Sequence, residues 1–324
     1  MHALTFERFG PPDVLQWREV ADPVVGAAGA VVRIAAAGVN FADIYRRRGD
    51  YHMDATPPWI LGYEGAGTIV EMTIDGGGAH GFAVGDRVGF ADSPRANAEL
   101  VFVPFAKLLP LPAEIGFDVA AAVMLQGLTA QYLIRDSYAV RAGETALVHA
   151  AGGGVGLLLT QMLVARGARV IALASSEAKR AAARTAGASD ALGYDADWVA
   201  RVKLLRPGGV DVVYESVGTT LMDSMAATRT GGAVVFYGFA GGNPPPVDPR
   251  ALMDRSLRVI GGDLWNVLTS ADERRRRAGE LFAMVRTGEV TATIAARIAM
   301  ANGAEAHRML EGRGTIGKLV LTID

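Results

Sequence analysis

Residues 145–156 read TALVHAAGGGVG, a short apolar run that passes straight into a glycine cluster and then into helical apolar spacing from Val155 to Arg166. A buried strand that ends in a glycine-rich turn and opens a helix is the unit from which dinucleotide-binding sheets are built. The spacing Ala151-x-Gly153-x-x-Gly156 is that fingerprint with alanine in the first glycine place. Gly153 predicts close backbone approach to a pyrophosphate, and Gly156 predicts close packing of the helix on its strand. The helix start at Gly154 and Val155 presents unpaired N–H groups to negative charge. The rival reading is a tight turn with no ligand.

The text on either side supports a sheet of this kind. Ala168–Ala174 reads as a second buried strand and Ser176–Ala186 as a second helix, and Gly209–Glu215, Gly232–Tyr237 and Arg258–Gly262 continue the alternation. Continuous apolar strands between helices predict a parallel, doubly wound sheet. Upstream, helices are expected over Asp118–Tyr132 and Asp136–Val140. From Met1 to about Glu114 the grammar is different. Ala30–Ala37, Gly67–Met72, Asp86–Ala91 and Ala98–Val103 read as strands separated by clusters such as Asp75–Gly78, which predicts an irregular β barrel or sandwich. Near the end, Ser270 and Glu273 form a capping box for a helix with Leu281, Phe282 and Val285 inward, closed by Gly288. Arg274–Arg277 in its first turns read as a solvated face. Gly317–Ile323 reads as a last strand that rejoins the first domain.

A chain of 324 residues is about twice the usual domain length, so two domains are expected. The division is 1–120 for the β-rich part, 121–265 for the α/β part, and 266–324 for a segment returning to the first. Half the residues are hydrophobic, which rules out disorder as the whole answer. A net charge of −2 gives no global pull toward nucleic acid or anionic membrane. The 40 glycines follow no period, so repeat arrays are excluded. No cysteine is present, which removes thiol nucleophiles, zinc–thiolate sites and iron–sulfur clusters, so redox chemistry requires a bound cofactor. The N-terminus has no apolar leader and no stretch reads as a membrane span, so a soluble, cytoplasmic protein is expected.

The end of the second strand indicates which nicotinamide cofactor is meant. An NAD site places Asp or Glu there to hold the ribose hydroxyls. This chain has Leu173-Ala174-Ser175-Ser176, no carboxylate before Glu177, and Lys179 close behind. Hydroxyls and an ammonium suit a 2′-phosphate, which a carboxylate would repel. NADPH is expected.

Several separate stretches carry a resemblance. They are residues 38–45 (GVNFADIY), 62–67 (GYEGAG), 85–88 (GDRV), 125–130 (LQGLTA), the fingerprint with His149, Tyr194, Ser216-Val217-Gly218 and Arg313. With these motifs in that order, the chain resembles the zinc-free quinone oxidoreductase, or zeta-crystallin-like, family of the medium-chain dehydrogenase/reductase superfamily. The resemblance implies a GroES-like catalytic domain, a Rossmann cofactor domain and NADPH in the cleft between them. It places Asn40, Asp43, Tyr45, Gln126 and Thr129 around the nicotinamide; apart from the resemblance, Tyr45 and Tyr51 read as hydrogen-bond donors or aromatic walls, with packing alone the rival reading for Tyr51. It places Ser175, Ser176, Lys179 and Tyr194 around the adenosine phosphate, and Ala151, Gly153, Gly154, Val155 and Gly156 on the pyrophosphate. Ser216, Val217, Gly218, Tyr237, Gly238 and Phe239 would line the cofactor, with Arg313 near it. A homodimer pairing the sheet edge near Val234–Phe239 is implied as well.

The zinc enzymes of the superfamily carry Cys where this chain has Asn40 or its neighbour, and His where it has Tyr63. The histidines His2, His52, His80, His149 and His307 have no ligand spacing, so no metal is expected. Glu64 then reads as a structural carboxylate and His149 as a satisfied core imidazole. Chemistry without a metal suits an acceptor that is already electrophilic. The leading expectation is hydride transfer from NADPH to a quinone, with Trp265 and Phe239 as candidate walls for a flat ring. Reduction of the C=C bond of enones or enoyl thioesters is the alternative, and a non-catalytic NADPH- or RNA-binding protein is a further one.

Overall fold

The computed structural model describes residues 1–51, 53, 56–73 and 81–323; the expected turn Asp75–Gly78 and the residues His52 and His80 lie outside them. The chain divides into two compact units: Met1–Leu125 with Leu268–Thr287 and Ala292–Asp324, and Gln126–Val267 with Gly288–Thr291.

The first unit is β-rich. A seven-stranded sheet runs Ile294–Ala299, Lys318–Thr322, Gly29–Gly38, Glu64–Met72, Arg87–Ala91, Leu109–Pro110, with Leu100–Pro104 also paired to Gly29–Gly38. The last strand does rejoin this unit, pairing Val320 with Gly38 antiparallel. Strand Ile294–Ala299, parallel to it, has no apolar alternation that announces it. A second sheet joins Gln16–Glu19, His2–Phe6 and Trp59–Ile60. Alternate apolar side chains such as Val32, Ile34, Ile69, Val88, Phe90 and Val103 face one another in the core, as half-buried pleated strands require.

Two readings of the helices change. Arg274–Arg277 are not a solvated face. Arg277 is buried against Glu273, Arg274 pairs with Asp92 at 2.9 Å, Arg275 lies over the Phe82 ring, and Arg276 is the most exposed of the four. The Glu273 carboxylate holds Arg276 and Arg277, so half of the expected capping box forms: the Glu273 N–H donates to Ser270 Oγ at 3.2 Å. Asp136–Val140 is helical only at Asp136 and Ser137. The helix Phe117–Tyr132 closes in a wide turn over Leu133–Ser137, and Tyr138 is extended, donating its hydroxyl to Glu144 at 2.8 Å. Residues 117–137 are long and apolar enough to cross a membrane by length and composition, yet 67% of the most apolar window is buried in protein, as a core helix is.

His307 has no exposed surface, and burial together with the Arg47 guanidinium pushes its pKa down to about 3. An unfolded histidine titrates near ~6.5. Below that pH the unfolded chain takes up a proton that the folded imidazole refuses, so this contribution is fully present above about 6.5 and declines toward 3. The expected loss is up to about 1.4 kcal/mol per pH unit. In denaturant titrations between about pH 6 and about pH 4.5, His307→Gln should flatten the stability profile by about that slope; an unchanged slope would mean the imidazole is charged in the folded chain.

The second unit is a six-stranded parallel sheet in the order Asp190–Leu192, Arg169–Leu173, Thr145–Val148, Val210–Glu215, Thr228–Phe236, Arg258–Gly261. In chain order that is 3-2-1-4-5-6, the doubly wound arrangement, whose direction of winding reverses between the first strand and the fourth. The free edge beyond the fifth strand is Arg258–Gly261, so Val234–Phe239 leaves an interior strand and cannot be the edge that pairs with a second copy. A sixth short strand covers it.

Candidate active site

The reversal point places the C-terminal ends of Thr145–Val148 and Val210–Glu215 side by side, and the fingerprint turn leaves the first of them. Ala150 takes a left-handed conformation (φ 47°), the Gly153 N–H donates to its carbonyl at 2.8 Å, and the helix Gly154–Ala165 starts with no side-chain cap. Its first N–H groups are therefore available to an anion. A Cβ on Gly156 would lie 2.5 Å from the Ala150 carbonyl oxygen and 2.7 Å from Ala151 Cα, which is the close helix–strand packing expected of it. On Gly153 a Cβ would meet that same oxygen at 3.2 Å and nothing else within 4 Å, so this side of the turn is open to a ligand. Gln126 occupies the space over Gly154, its Oε1 1.9 Å from where a Cβ would be, and Thr129 follows on the same helix, Phe117–Tyr132.

Behind the turn lies a buried polar relay. The Ala150 N–H donates to Tyr194 Oη at 2.9 Å, Tyr194 Oη lies 3.3 Å from His149 Nδ1, and His149 Nε2 lies 2.9 Å from Ser224 Oγ. Ser224 donates to Glu215 at 2.5 Å, and Glu215 also accepts from the Val217 and Gly218 N–H groups and from Thr220. Burial holds the His149 pKa down, so the ring is neutral. A neutral ring that accepts from Tyr194 and donates to Ser224 satisfies the whole chain. His149 is thus a buttress between the two strand ends, and Tyr194 touches the turn from behind. Ser216 to Gly218 follow the second strand end. Gly218 is left-handed (φ 90°) and packed on Phe239, and Gly238 sits over Ser216. Burial pushes the Tyr237 hydroxyl up to about 12 despite a hydrogen bond to Ser216.

At the end of Arg169–Leu173, Ser175 is exposed and Ser176 caps the next helix, accepting from the Lys179 N–H at 3.3 Å. The Lys179 stem packs on Gly152. Arg180 is a cation that sequence reading passes over: it reaches the Ala174 carbonyl and, with Arg184, holds the Glu177 carboxylate below its ordinary pKa. Trp265 lies on the short turn Leu264–Asn266.

Other predicted residues lie in the first unit, around the helix Phe41–Arg48. Asn40 caps that helix, and its N–H donates to Asp43 at 2.9 Å. The Asn40 amide donates to Glu64 at 2.7 Å; Lys318 Nζ donates to Asn40 Oδ1 at 2.7 Å and to Glu64 at 2.5 Å, and the Leu125 N–H donates to the other Glu64 oxygen at 2.8 Å. Glu64 is wholly buried and Lys318 is 2% exposed. Sequence reading misses Lys318, although a lone lysine inside GKLVLTI is itself a signal. Burial raises the Asp43 pKa. Tyr45 and Tyr51 are half-buried, Tyr45 beside Phe41. Arg313, exposed and left-handed after the helix Gly303–Glu311, also belongs to this unit.

Known proteins match along the whole chain. Residues 26–141 fit the alcohol dehydrogenase GroES-like domain and residues 154–277 the zinc-binding dehydrogenase family. A quinone oxidoreductase of Pseudomonas aeruginosa is 39% identical over 98% of this chain and 98% of its own. The chain belongs to the quinone oxidoreductase family of the medium-chain dehydrogenase/reductase superfamily. It is also similar to a 2-haloacrylate reductase of a Burkholderia species, at 33% identity over 98% of each chain. A mycobacterial protein solved with NADPH superposes with a TM-score of 0.95 at 36% identity, covering 99% of this chain and 100% of that one.

The zinc in one family description does not fit these residues. No cysteine exists, no group of three metal-ligating side chains occurs among the described residues, and the Glu64 carboxylate is already held by an ammonium, an amide and a backbone N–H. A nicotinamide dinucleotide does fit, by the open face at Gly153 and the uncapped helix start.

Proposed function

We propose that this chain is an NADPH-dependent reductase that passes hydride directly to a quinone without a metal. The observation that carries the cofactor assignment is the fingerprint turn at the sheet reversal, open at Gly153, with Ser175, Ser176, Lys179 and Arg180 at the neighbouring strand end and the first carboxylate that follows in sequence, Glu177, neutralised by two arginines. The quinone assignment is supported by the relatives' activity and by a first unit whose buried carboxylate is bound to Lys318.

Bound NADPH would supply a hydride, leaving as NADP⁺, and a quinone accepting it would become a stabilised aromatic oxyanion that takes its proton from solvent. Ala151 to Gly156 would hold the pyrophosphate by backbone N–H groups, and the His149–Ser224–Glu215 relay fixes the turn that presents them. Ser216 to Gly218 and Tyr237 to Phe239 line the cofactor. Gln126 and Thr129, beside the fingerprint turn, would border the nicotinamide ring and exclude water from it. A homodimer would pair the Arg258–Gly261 edge, which sedimentation velocity would test.

Steady-state NADPH oxidation across quinones, enones and ketones, in chelator, tests the reading. Quinones should lead and chelator should leave the rate unchanged. The haloacrylate-reducing relative favours a second reading, reduction of a conjugated C=C bond, and enones with kcat/KM above every quinone would establish that one instead.

Lys179→Ala should weaken NADPH by about 1–3 kcal/mol, the scale of a hydrogen bond to a charged group, and leave NADH alone. Equal weakening of both cofactors in binding titrations would remove Lys179 from the phosphate site.

A further inference from the structure

Three arginines follow one another at the end of the helix Phe41–Arg48, and two of them are paired. Arg47 donates to Glu311, to the Gly10 carbonyl and to the His307 ring, and Arg48 donates to Glu311. Arg46 is different. It is 3% exposed, and its guanidinium lies 3.5 Å from the Tyr63 ring centroid and 4.9 Å from that of Tyr51. Nε and Nη1 are buried with no hydrogen-bond partner among the described residues. Asp43, one helical turn earlier, is the nearby opposite charge on this helix, and its Oδ1 is also buried without a partner.

Burying Nε and Nη1 without an acceptor among the described residues is costly, since no carboxylate or carbonyl there replaces their lost hydration. Aromatic faces attract the cation but do not accept its in-plane N–H bonds. Those bonds suit the planar oxygens of a carboxylate or another oxyanion. Tyr51 is one of the two tyrosines that the sequence offers as a hydrogen-bond donor or aromatic wall, and Tyr63 immediately precedes Glu64, whose carboxylate accepts from Asn40.

We propose that Arg46 is a specificity residue, and that the acceptor reduced by this chain carries an anionic group, a carboxylate or equivalent oxyanion, that binds the Arg46 guanidinium between Tyr51 and Tyr63. This rests on the reductase reading and narrows its substrate class to anionic conjugated acceptors. No sequence pattern marks this arginine, because its burial depends on Tyr63, well beyond its own helix.

The test compares Arg46→Met and Arg46→Lys with the unmodified holoenzyme. The acceptors are 1,4-naphthoquinone-2-sulfonate and neutral 1,4-naphthoquinone, and the turnover-independent probes are 1-naphthoate and 1-naphthamide, titrated calorimetrically into the NADPH-loaded protein. Arg46→Met should lower the ratio of kcat/KM for the anionic over the neutral quinone by roughly twentyfold and weaken naphthoate, not naphthamide, by roughly tenfold or more, as expected for a charge-assisted hydrogen bond. Arg46→Lys should recover part of both. Equal losses on both quinones, with naphthoate binding unchanged, would make Arg46 a packing residue and overturn the proposal. If neither quinone is reduced but naphthoate still binds through Arg46, the reductase reading fails and the anion site stands. If both are reduced with an unchanged ratio, the reverse holds.

Discussion

Gly156→Val is expected to remove NADPH binding and to destabilise the second unit by about 3 kcal/mol, the upper range for overpacking. Even a methyl group at this position would lie 2.5 Å from the Ala150 oxygen and 2.7 Å from Ala151 Cα, both backbone atoms that cannot swing away. The helix must therefore move off its strand, carrying with it the N–H groups meant for the pyrophosphate. A displacement of about 1 Å at such a site commonly costs on the order of a hundredfold. Isothermal titration with NADPH and urea unfolding read the two effects. Gly279→Ala is the control. It lies in the helix Ala271–Thr287 with nothing within 4 Å of its Cβ position, so it should stabilise by up to about 1 kcal/mol. Retained NADPH affinity in Gly156→Val would sink the assignment of this turn.

Lys318→Met should cost about 3–5 kcal/mol, the range for removing one partner of a buried ion pair. Glu64 would keep its Asn40 and Leu125 hydrogen bonds but lose the cation that compensates its charge. Adding Glu64→Gln should restore much of the loss, because a neutral amide needs no counter-charge. A double-mutant cycle by chemical denaturation measures the coupling. If Lys318→Met alone costs less than about 1 kcal/mol, Glu64 is not charged in the folded chain and the pair is a hydrogen bond between neutral groups.

Short-range chemistry is what the sequence makes legible. The fingerprint needs only the residues from Thr145 to Gly156, and its strand, turn and helix fall close to where the pattern puts them. Five of the six Rossmann strands are legible as apolar runs, the inner ones because burial on both faces makes them continuously apolar, whereas Asp190–Leu192, three residues long, carries no such run. Misread features depend on distant partners. Arg274 meets Asp92, 182 positions away, so a run of arginines that looks solvated is in part a set of internal ties. Asp136–Val140 has helical composition, but Tyr138 is drawn out to Glu144. The edge of the sheet depends on where the short strand Arg258–Gly261 docks, which composition does not tell. Lys318 and Arg46 carry no motif. Their significance comes from desolvation, which is a property of the folded surroundings rather than of the neighbours in sequence.

The ammonium on Glu64 has a consequence for how this protein meets its environment. A dissociable ion obeys mass action: it can be diluted away, captured by a chelator or displaced by a competing metal, and the folded population then follows its concentration. Lys318 is tethered by its own backbone, so the occupancy of that position is set at translation and does not respond to the supply of any ion. The same tether limits it. A side-chain ammonium has three hydrogens to donate and no vacant coordination position, so it can organise Asn40 and Glu64 but cannot trade one of them for an incoming oxygen.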